Sequence, residues 1–224
     1  MNDIFKSILI VSPHADDEVI GMGATISQFS QLGSLVRILI LADGVTSRDE
    51  LRESLVERKK SAEKAYKYLG ISEFQFMDFP DNKLDTLPIL DLIKTIEKSI
   101  NKFQPTSIFT TSFKDLNIDH QIAAKAVITA ARPKIDNCVR AVFHFEVQSS
   151  TGWNFHVNSF KPNFFVDISK HYMKKENALT YFKQELEAFP SPRSLENILN
   201  LNKYRGSVIG KNYAEAFETS YLLF

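Results

Sequence analysis

Short apolar segments alternate with longer amphipathic segments along the first two thirds of the chain. The short segments are rich in Val, Ile, Leu and Phe, as expected of buried strands. The longer segments carry apolar residues at helical spacing, and three of them end at a glycine or before a proline. The predicted strands are 7–11, 35–41, 74–79, 106–110 and 139–147, and the predicted helices are 19–31, 47–69, 88–102 and 119–131.

Strands separated by helices of this length indicate βαβ units. The pattern therefore predicts an α/β, Rossmann-like fold, with a mainly parallel sheet and helices on both faces. The last third is less regular, and we predict a strand over 164–168 and helices over 171–188 and 195–204 there. No linker, low-complexity segment or internal repeat interrupts the chain, so one domain spanning 1–224 is expected.

Composition and charge narrow the class of protein. Hydrophobic residues make up 44% of the chain and charged residues 24%, which is ordinary for a globular protein. Lys plus Arg and Asp plus Glu both number 27, so the basic excess typical of nucleic-acid binding is missing and no such partner is expected. There is one cysteine, no signal-peptide pattern and no apolar run long enough for a transmembrane segment, so we expect a cytoplasmic protein.

A histidine and three carboxylates follow the first predicted strand directly, within residues 13–18. Ligands of open α/β sheets bind at the carboxyl ends of strands. Carboxylates this close repel one another unless a cation or hydrogen bonds compensate them, and zinc held by His14 and Asp17 would do so. Catalytic zinc usually takes three protein ligands, and His120, after the fourth predicted strand, is the best third candidate. The competing interpretation is that Asp16 or Asp17 caps the following helix.

Two motifs carry a resemblance to a known family. Residues 12–23 resemble the Pro-His-x-Asp-Asp-Glu signature of the LmbE-like, or PIG-L-type, zinc-dependent N-deacetylases. Residues 117–120 fall where that family carries its second motif, His-x-Asp-His. Residues 146–151 and 192–194 resemble a branch found with bacterial surface-polysaccharide enzymes.

The resemblance implies the LmbE-like fold and a hydrolase that removes the acetyl group from an N-acetylated amino sugar of the GlcNAc type, free, nucleotide-linked or lipid-linked. It implies that zinc is held by His14, Asp17 and His120. It also implies that Asp16 is the general base for the zinc-bound water, and that Asp119 orients His120. Iron(II) suits the same set of ligands.

Asn117 departs from the family pattern, because many members have a histidine there that is thought to stabilise the oxyanion or protonate the leaving amine. An asparagine amide donates a hydrogen bond but cannot act as an acid at neutral pH. We therefore expect Asn117 to cover the electrostatic part of catalysis, or another residue to supply the proton. Asp16, once protonated, is the simplest candidate for that proton.

The residues that recognise the substrate are less clearly marked. The candidates are Arg58, Asp81, Glu146 and Arg193. Arginine suits a phosphate-bearing substrate through its bidentate geometry, although arginines on helices are more often solvated. A homo-oligomer is compatible with the sequence.

Two other functions stay open. The same chemistry could act on another amide conjugate, of a thiol or of an antibiotic precursor. The chain could instead be a catalytically impaired sugar-binding protein, for which Asn117 is the main support. A dinucleotide-binding domain is disfavoured, because no Gly-x-Gly-x-x-Gly follows the first predicted strand.

Overall fold

The predicted apolar runs form strands of one sheet in the computed structural model, which describes residues 3–47, 54–135, 137–155 and 159–223. The strands are Ser7–Ser12 (β1), Leu35–Ala42 (β2), Glu73–Phe79 (β3), Ser107–Thr111 (β4), Ala141–Phe145 (β5), Phe164–Asp167 (β6) and Ala214–Leu222 (β7). Their order across the sheet is β3-β2-β1-β4-β5-β7-β6. Strands β1 to β5 are parallel, and β7 is antiparallel to both of its neighbours.

Strand β1 lies at the centre of the parallel part, and all six of its residues are buried. Successive side chains of a strand point to opposite faces of the sheet. Ile8 and Ile10 accordingly join one apolar cluster, and Leu9 and Val11 join the other. Each of these side chains contributes about 1.5–3 kcal/mol by leaving water. An unbroken apolar run is therefore what a strand covered on both faces requires.

The described part of the chain has seven helices, and six of them cover the two faces of the sheet. They are Asp17–Gln31 (α1), Leu55–Leu69 (α2), Ile89–Phe103 (α3), Ile118–Ala130 (α4), Gln148–Thr151 (α5), Tyr172–Leu179 (α6) and Leu195–Val208 (α7). Helices α1, α2, α6 and α7 contribute to one apolar cluster, and α3 and α4 contribute to the other. The predicted α/β class, with a mainly parallel sheet and helices on both faces, is confirmed. Among the described residues, no helix combines the length and the apolar character needed to cross a bilayer.

Two predicted helices differ most from the observed ones. The second was expected from residue 47, yet α2 begins at Leu55 because Ser54 caps it, and residues 48–53 lie outside the described residues. The hydroxyl of Ser54 accepts a hydrogen bond from the backbone of Glu57, and the Glu57 side chain accepts one in return, which forms a capping box. The helix predicted over 171–188 ends at Leu179 and is followed by a single 3₁₀ turn.

Strand β7 was not predicted, because its sequence places Glu215 and Glu218 within the apolar positions. These glutamates are 1% and 8% exposed. Each is paired with a cation from elsewhere in the chain: Lys175 Nζ lies 2.8 Å from Glu215, and Lys114 Nζ lies 2.6 Å from Glu218. The strand is therefore stabilised by distant lysines that no local pattern reveals.

Glu215 also joins β7 to helix α1. This helix is interrupted at Met22, whose backbone angles (φ −147°, ψ 23°) are not helical. The interruption leaves backbone N–H groups at the start of the second segment without helical partners. The carboxylate of Glu215 accepts hydrogen bonds from two of them, Ala24 at 3.2 Å and Thr25 at 2.7 Å. A buried ion pair and a helix terminus thus share one carboxylate.

We predict that Lys175→Met lowers the free energy of unfolding by about 3 kcal/mol, because it leaves a buried carboxylate without its cation. The measurement is a urea unfolding curve. The control is Lys134→Met, which removes an exposed pair with Glu97 and should cost less than about 1 kcal/mol. Equal losses in the two variants would contradict a structural role for the Lys175–Glu215 pair.

Candidate functional site

The two predicted motifs meet at the carboxyl ends of adjacent strands. The loop between β1 and α1 carries His14, and the first turn of α4, which follows β4, carries His120. Since β1 and β4 are parallel neighbours, both loops emerge at the same edge of the sheet. The centroids of the two imidazole rings are 5.5 Å apart.

Three buried side chains at this edge fit a divalent metal ion. Asp17 Oδ2 lies 3.0 Å from His14 Nδ1 and 3.1 Å from His120 Nε2. One possible ligand atom from each residue lies within 4.8 Å of the others. Two imidazoles and one carboxylate form a donor set that zinc takes in catalytic sites, and iron(II) also binds such sets.

His14 also belongs to a second group of three, with Asp81 and Asp119. One possible ligand atom from each of these residues again lies within 4.8 Å of the others. Asp119 is fully buried and accepts hydrogen bonds from the backbone of Asn82 at 2.8 Å and of Leu84 at 3.0 Å. Its oxygens are therefore already engaged. His14 Nε2 lies 3.0 Å from Asp81 and 3.1 Å from Asp119, while Nδ1 faces the first group. This is the arrangement in which carboxylates orient a metal-binding imidazole through its other nitrogen.

The structure corrects the predicted role of Asp119. We expected it to orient His120, but its carboxylate contacts His14. The carboxylate beside His120 belongs to Asp115, whose Oδ2 lies 3.1 Å from His120 Nδ1. The physical reason is that consecutive residues of a helix do not face each other, so Asp119 and His120 point in different directions.

The surroundings of the two histidines favour a positive charge. Burial alone would lower the pKa of His120, but the carboxylates of Asp17 and Asp115 outweigh burial and raise that pKa to about 9. Burial likewise opposes a raised pKa at His14, and Asp119, Asp17 and Asp81 raise it well above its ordinary value. A divalent cation would supply the positive charge that these carboxylates favour, which is a second reason why these residues fit a metal.

Asp16 lies beside this group but does not belong to it. It is 1% exposed, and its two oxygens face two arginines: Arg58 Nη2 at 3.4 Å and Arg193 Nη2 at 2.6 Å. Burial raises the pKa of the Asp16 carboxyl against the opposing charges of Arg193 and Arg58. Asp16 occupies the N-cap position of α1 but makes no side-chain hydrogen bond to the helix, so the capping interpretation is not supported.

The backbone around Asp16 is specialised. Asp16 has φ 153° and ψ −31°, angles that residues other than glycine rarely adopt. Gly44, at φ 72°, lies against Arg58, and a Cβ at Gly44 would stand 2.5 Å from Arg58 Nε. A glycine at residue 44 therefore leaves the space in which Arg58 reaches Asp16.

Asn117 caps helix α4. Its Oδ1 accepts a hydrogen bond from the backbone of Asp119 at 2.8 Å, and its Nδ2 donates to Asn82 Oδ1 at 3.2 Å. The cap fixes which end of the amide faces the pocket. The donor end of Asn117 is therefore directed at Asn82, which lines the same pocket as the metal candidates.

Eight of the ten residues predicted for the site line one pocket of about 300 Å³. They are His14, Asp16, Asp17, Arg58, Asp81, Asn117, His120 and Arg193. Asp119 lies behind the pocket against His14. Glu146 is not brought to the pocket, because its carboxylate makes two hydrogen bonds of 2.7 Å to Arg205.

Two residues of the site were missed by sequence reasoning. Asp115 contacts His120, and Glu185 forms an ion pair with Arg58 and lines the pocket. Asp115 stands two residues before the second motif, and spacing does not show which carboxylate there reaches the imidazole. Glu185 lies in an irregular segment after α6, where no strand end marks it.

Comparison with known proteins identifies the family. The family model described as "PIG-L: GlcNAc-PI de-N-acetylase" matches residues 9–131, which is more than half of the chain. The chain therefore belongs to the PIG-L, or LmbE-like, family. This confirms the prediction made from the two motifs, and with it the prediction of an N-deacetylase at the level of the family.

A relative at the sequence level is the diacetylchitobiose deacetylase of Thermococcus kodakarensis. It is 27% identical over 235 residues, which covers 96% of this chain and 82% of the relative. The N,N'-diacetylchitobiose deacetylase of Pyrococcus horikoshii has a similar structure, with a TM-score of 0.79 at 22% identity over 96% of this chain and 84% of that one.

The fold is shared with an enzyme of another kind. The 4-carboxy-2-hydroxymuconate hydratase GalB of Pseudomonas putida superposes with a TM-score of 0.77 at 20% identity, over 98% of both chains. At such identities structural likeness shows the fold alone. The reaction of this chain has to be inferred from its site.

We predict that Asp115→Asn weakens zinc binding by about 10- to 100-fold, because it removes the carboxylate that faces the outer nitrogen of a candidate metal ligand. The measurement is zinc competition with a chromophoric chelator, with circular dichroism to verify folding. Asp78→Asn, at an exposed carboxylate paired with Lys59, is the control and should leave the affinity unchanged. Unaltered affinity in Asp115→Asn would show that Asp115 does not support the metal centre.

Proposed function

We propose that this protein is a metal-dependent N-deacetylase that hydrolyses the acetamide of an N-acetylated amino sugar. The observation that carries the proposal is the position of Asp16, a buried carboxylate in the same pocket as His14, Asp17 and His120 but outside both groups that could hold a metal. A site that served only to hold a metal would not need such a carboxylate. The relatives named as deacetylases support the substrate class.

Zinc is the ion that we assign to His14, Asp17 and His120, and iron(II) is the alternative for the same residues. When bound, such an ion lowers the pKa of a water to about 7 and polarises the substrate carbonyl. Asp81 and Asp119 hold the ring of His14 from one side, and Asp115 lies beside the outer nitrogen of His120. These carboxylates thereby fix the orientation of the two imidazole rings that would bind the metal.

Asp16 is the general base in this proposal. Its carboxylate takes a proton from the attacking water, while the water oxygen forms a bond to the acetyl carbon. The C–N bond then breaks, and the protonated Asp16 returns the proton to the departing amine. Acetate and a free amino sugar are the products. Burial raises the pKa of Asp16, which favours its ability to carry a proton between the two steps.

Asn117 stabilises the negative charge that develops on the carbonyl oxygen. Its cap on α4 uses the amide oxygen, and Nδ2 has a second hydrogen besides the one that it donates to Asn82. A fixed donor in a partly buried site stabilises such a charge without reorganisation. Asn117 cannot supply the leaving-group proton, so that task falls to Asp16.

Two other functions compete with this one. The same chemistry could act on a different amide conjugate, and release of acetate from a panel of N-acetyl sugars and thiol conjugates separates the two. A catalytically impaired sugar-binding protein would lack stoichiometric metal, so elemental analysis of the purified protein tests it. The charged Asp16 beside the ligand group favours the enzyme over the binding protein.

We predict that Asp16→Asn retains bound zinc and lowers acetate release from N,N'-diacetylchitobiose by about 10²- to 10⁴-fold, because the proton acceptor is removed. Acetate is measured by a coupled assay, and zinc by elemental analysis of the same sample. Asp91→Asn, at an exposed position of α3, is the matched control and should behave as the parent protein. Undiminished turnover in Asp16→Asn would refute the assigned mechanism.

A further inference from the structure

The arginines that line the described part of the pocket are Arg58 and Arg193, and both face carboxylates of the protein itself. Arg58 forms ion pairs with Glu185 and with Asp16. Arg193 Nη2 lies 2.6 Å from Asp16 Oδ2. An anionic group on a substrate would have to compete with these buried partners.

The loop that carries Arg193 is constrained on both sides. The backbone N–H of Arg193 donates to Ser191 Oγ at 3.1 Å, and its carbonyl accepts from Glu187 at 3.3 Å. The next residue, Ser194, is the N-cap of α7 and accepts from the backbone of Asn197 at 3.1 Å. The start of a helix and a turn therefore set the direction in which the Arg193 side chain leaves the backbone.

Withdrawing Arg193 from Asp16 would be costly. Asp16 is 1% exposed, so withdrawal of Arg193 would leave one oxygen of a buried carboxylate without its nearest cation. The other arginine cannot replace the lost contact, because Arg58 approaches the opposite oxygen at 3.4 Å and is also bound to Glu185. One nitrogen of the Arg193 guanidinium, Nη2, is therefore held by Asp16.

The charge around the pocket also disfavours an anionic substrate. Six described carboxylates belong to the site or directly support it, against two guanidinium groups. The carboxylates are Asp16, Asp17, Asp81, Asp115, Asp119 and Glu185. One divalent cation compensates half of the excess of four negative charges. A phosphate or carboxylate near the reacting amide would be repelled by the remainder.

We propose that Arg193 positions the carboxylate of Asp16 and does not bind the substrate, so that the pocket takes an uncharged N-acetylated amino sugar. This inference rests on the proposed deacetylase function and names its substrate class. It also assigns to Arg193 a task different from the phosphate contact that the sequence leaves open. Among the free, nucleotide-linked and lipid-phosphate-linked sugars that the resemblance allows, it selects the uncharged ones.

The role of Arg193 is tested by the division of its effect between kcat and KM. Arg193→Gln should lower kcat for N,N'-diacetylchitobiose by about 10- to 100-fold and leave KM within about twofold, because the base is misplaced while substrate contacts remain. Zinc content should not change. Arg193→Lys should recover part of kcat, since a lysine restores the charge without the planar geometry of the guanidinium.

The matched control is Arg37→Gln. Arg37 is a buried arginine of β2 that contacts Gln75 and Phe103, and it does not line the pocket. This variant should change stability but neither kcat nor KM. A rise in KM of tenfold or more in Arg193→Gln, with kcat maintained, would overturn the positioning role.

The substrate class is tested with the metal-loaded parent protein. We expect kcat/KM for N,N'-diacetylchitobiose to exceed that for N-acetylglucosamine 6-phosphate by at least tenfold, with a gap that narrows as salt screens the repulsion. A preference for the phosphorylated sugar would overturn this inference and leave the deacetylase function intact. Absence of acetate from every N-acetyl sugar would overturn the proposed function and this inference with it.

Discussion

The concentration of buried carboxylates at the carboxyl ends of β1 and β4 is the constraint on which the site depends. Carboxylates taken out of water repel one another and are stable only when cations or hydrogen bonds face them. The chain supplies both kinds of partner. Backbone N–H groups face Asp119, imidazoles face Asp17, and guanidinium groups face Asp16. The division of the carboxylates into separate tasks follows from which partner each one has.

A buried carboxylate is also paired with a cation and backbone N–H groups elsewhere in the molecule, where it stabilises the fold. Glu215 is buried among the ends of an interrupted helix and the side chain of Lys175, and it holds the antiparallel strand β7 against α1. No pocket residue belongs to this second cluster. A buried acidic residue therefore marks a functional site in this fold only where its partners leave room for a ligand.

The sequence predicts the parallel part of the sheet well, because continuous apolar runs and helical spacing are local signals. It also places His14, Asp17 and His120 at one edge, since the ends of neighbouring parallel strands must meet. It does not give the partner of each carboxylate. Asp119 contacts His14 and not the expected His120, because adjacent residues of a helix point in different directions, and Asp115 lies beside His120 instead. Arg193 reaches Asp16 from an irregular segment far along the chain. Strand β7 escapes prediction because distant lysines compensate its glutamates.

The fold is shared by proteins named as deacetylases and by one named as a hydratase, so the account depends on the site. The central claim is that the metal binds His14, Asp17 and His120, and that Asp16 does not bind the metal. The most direct measurement is anomalous diffraction at the zinc edge from a crystal grown with zinc. The account predicts one strong peak bonded to these three residues, with no bond to Asp16. A peak at His14, Asp81 and Asp119, or a bond to Asp16, would contradict it.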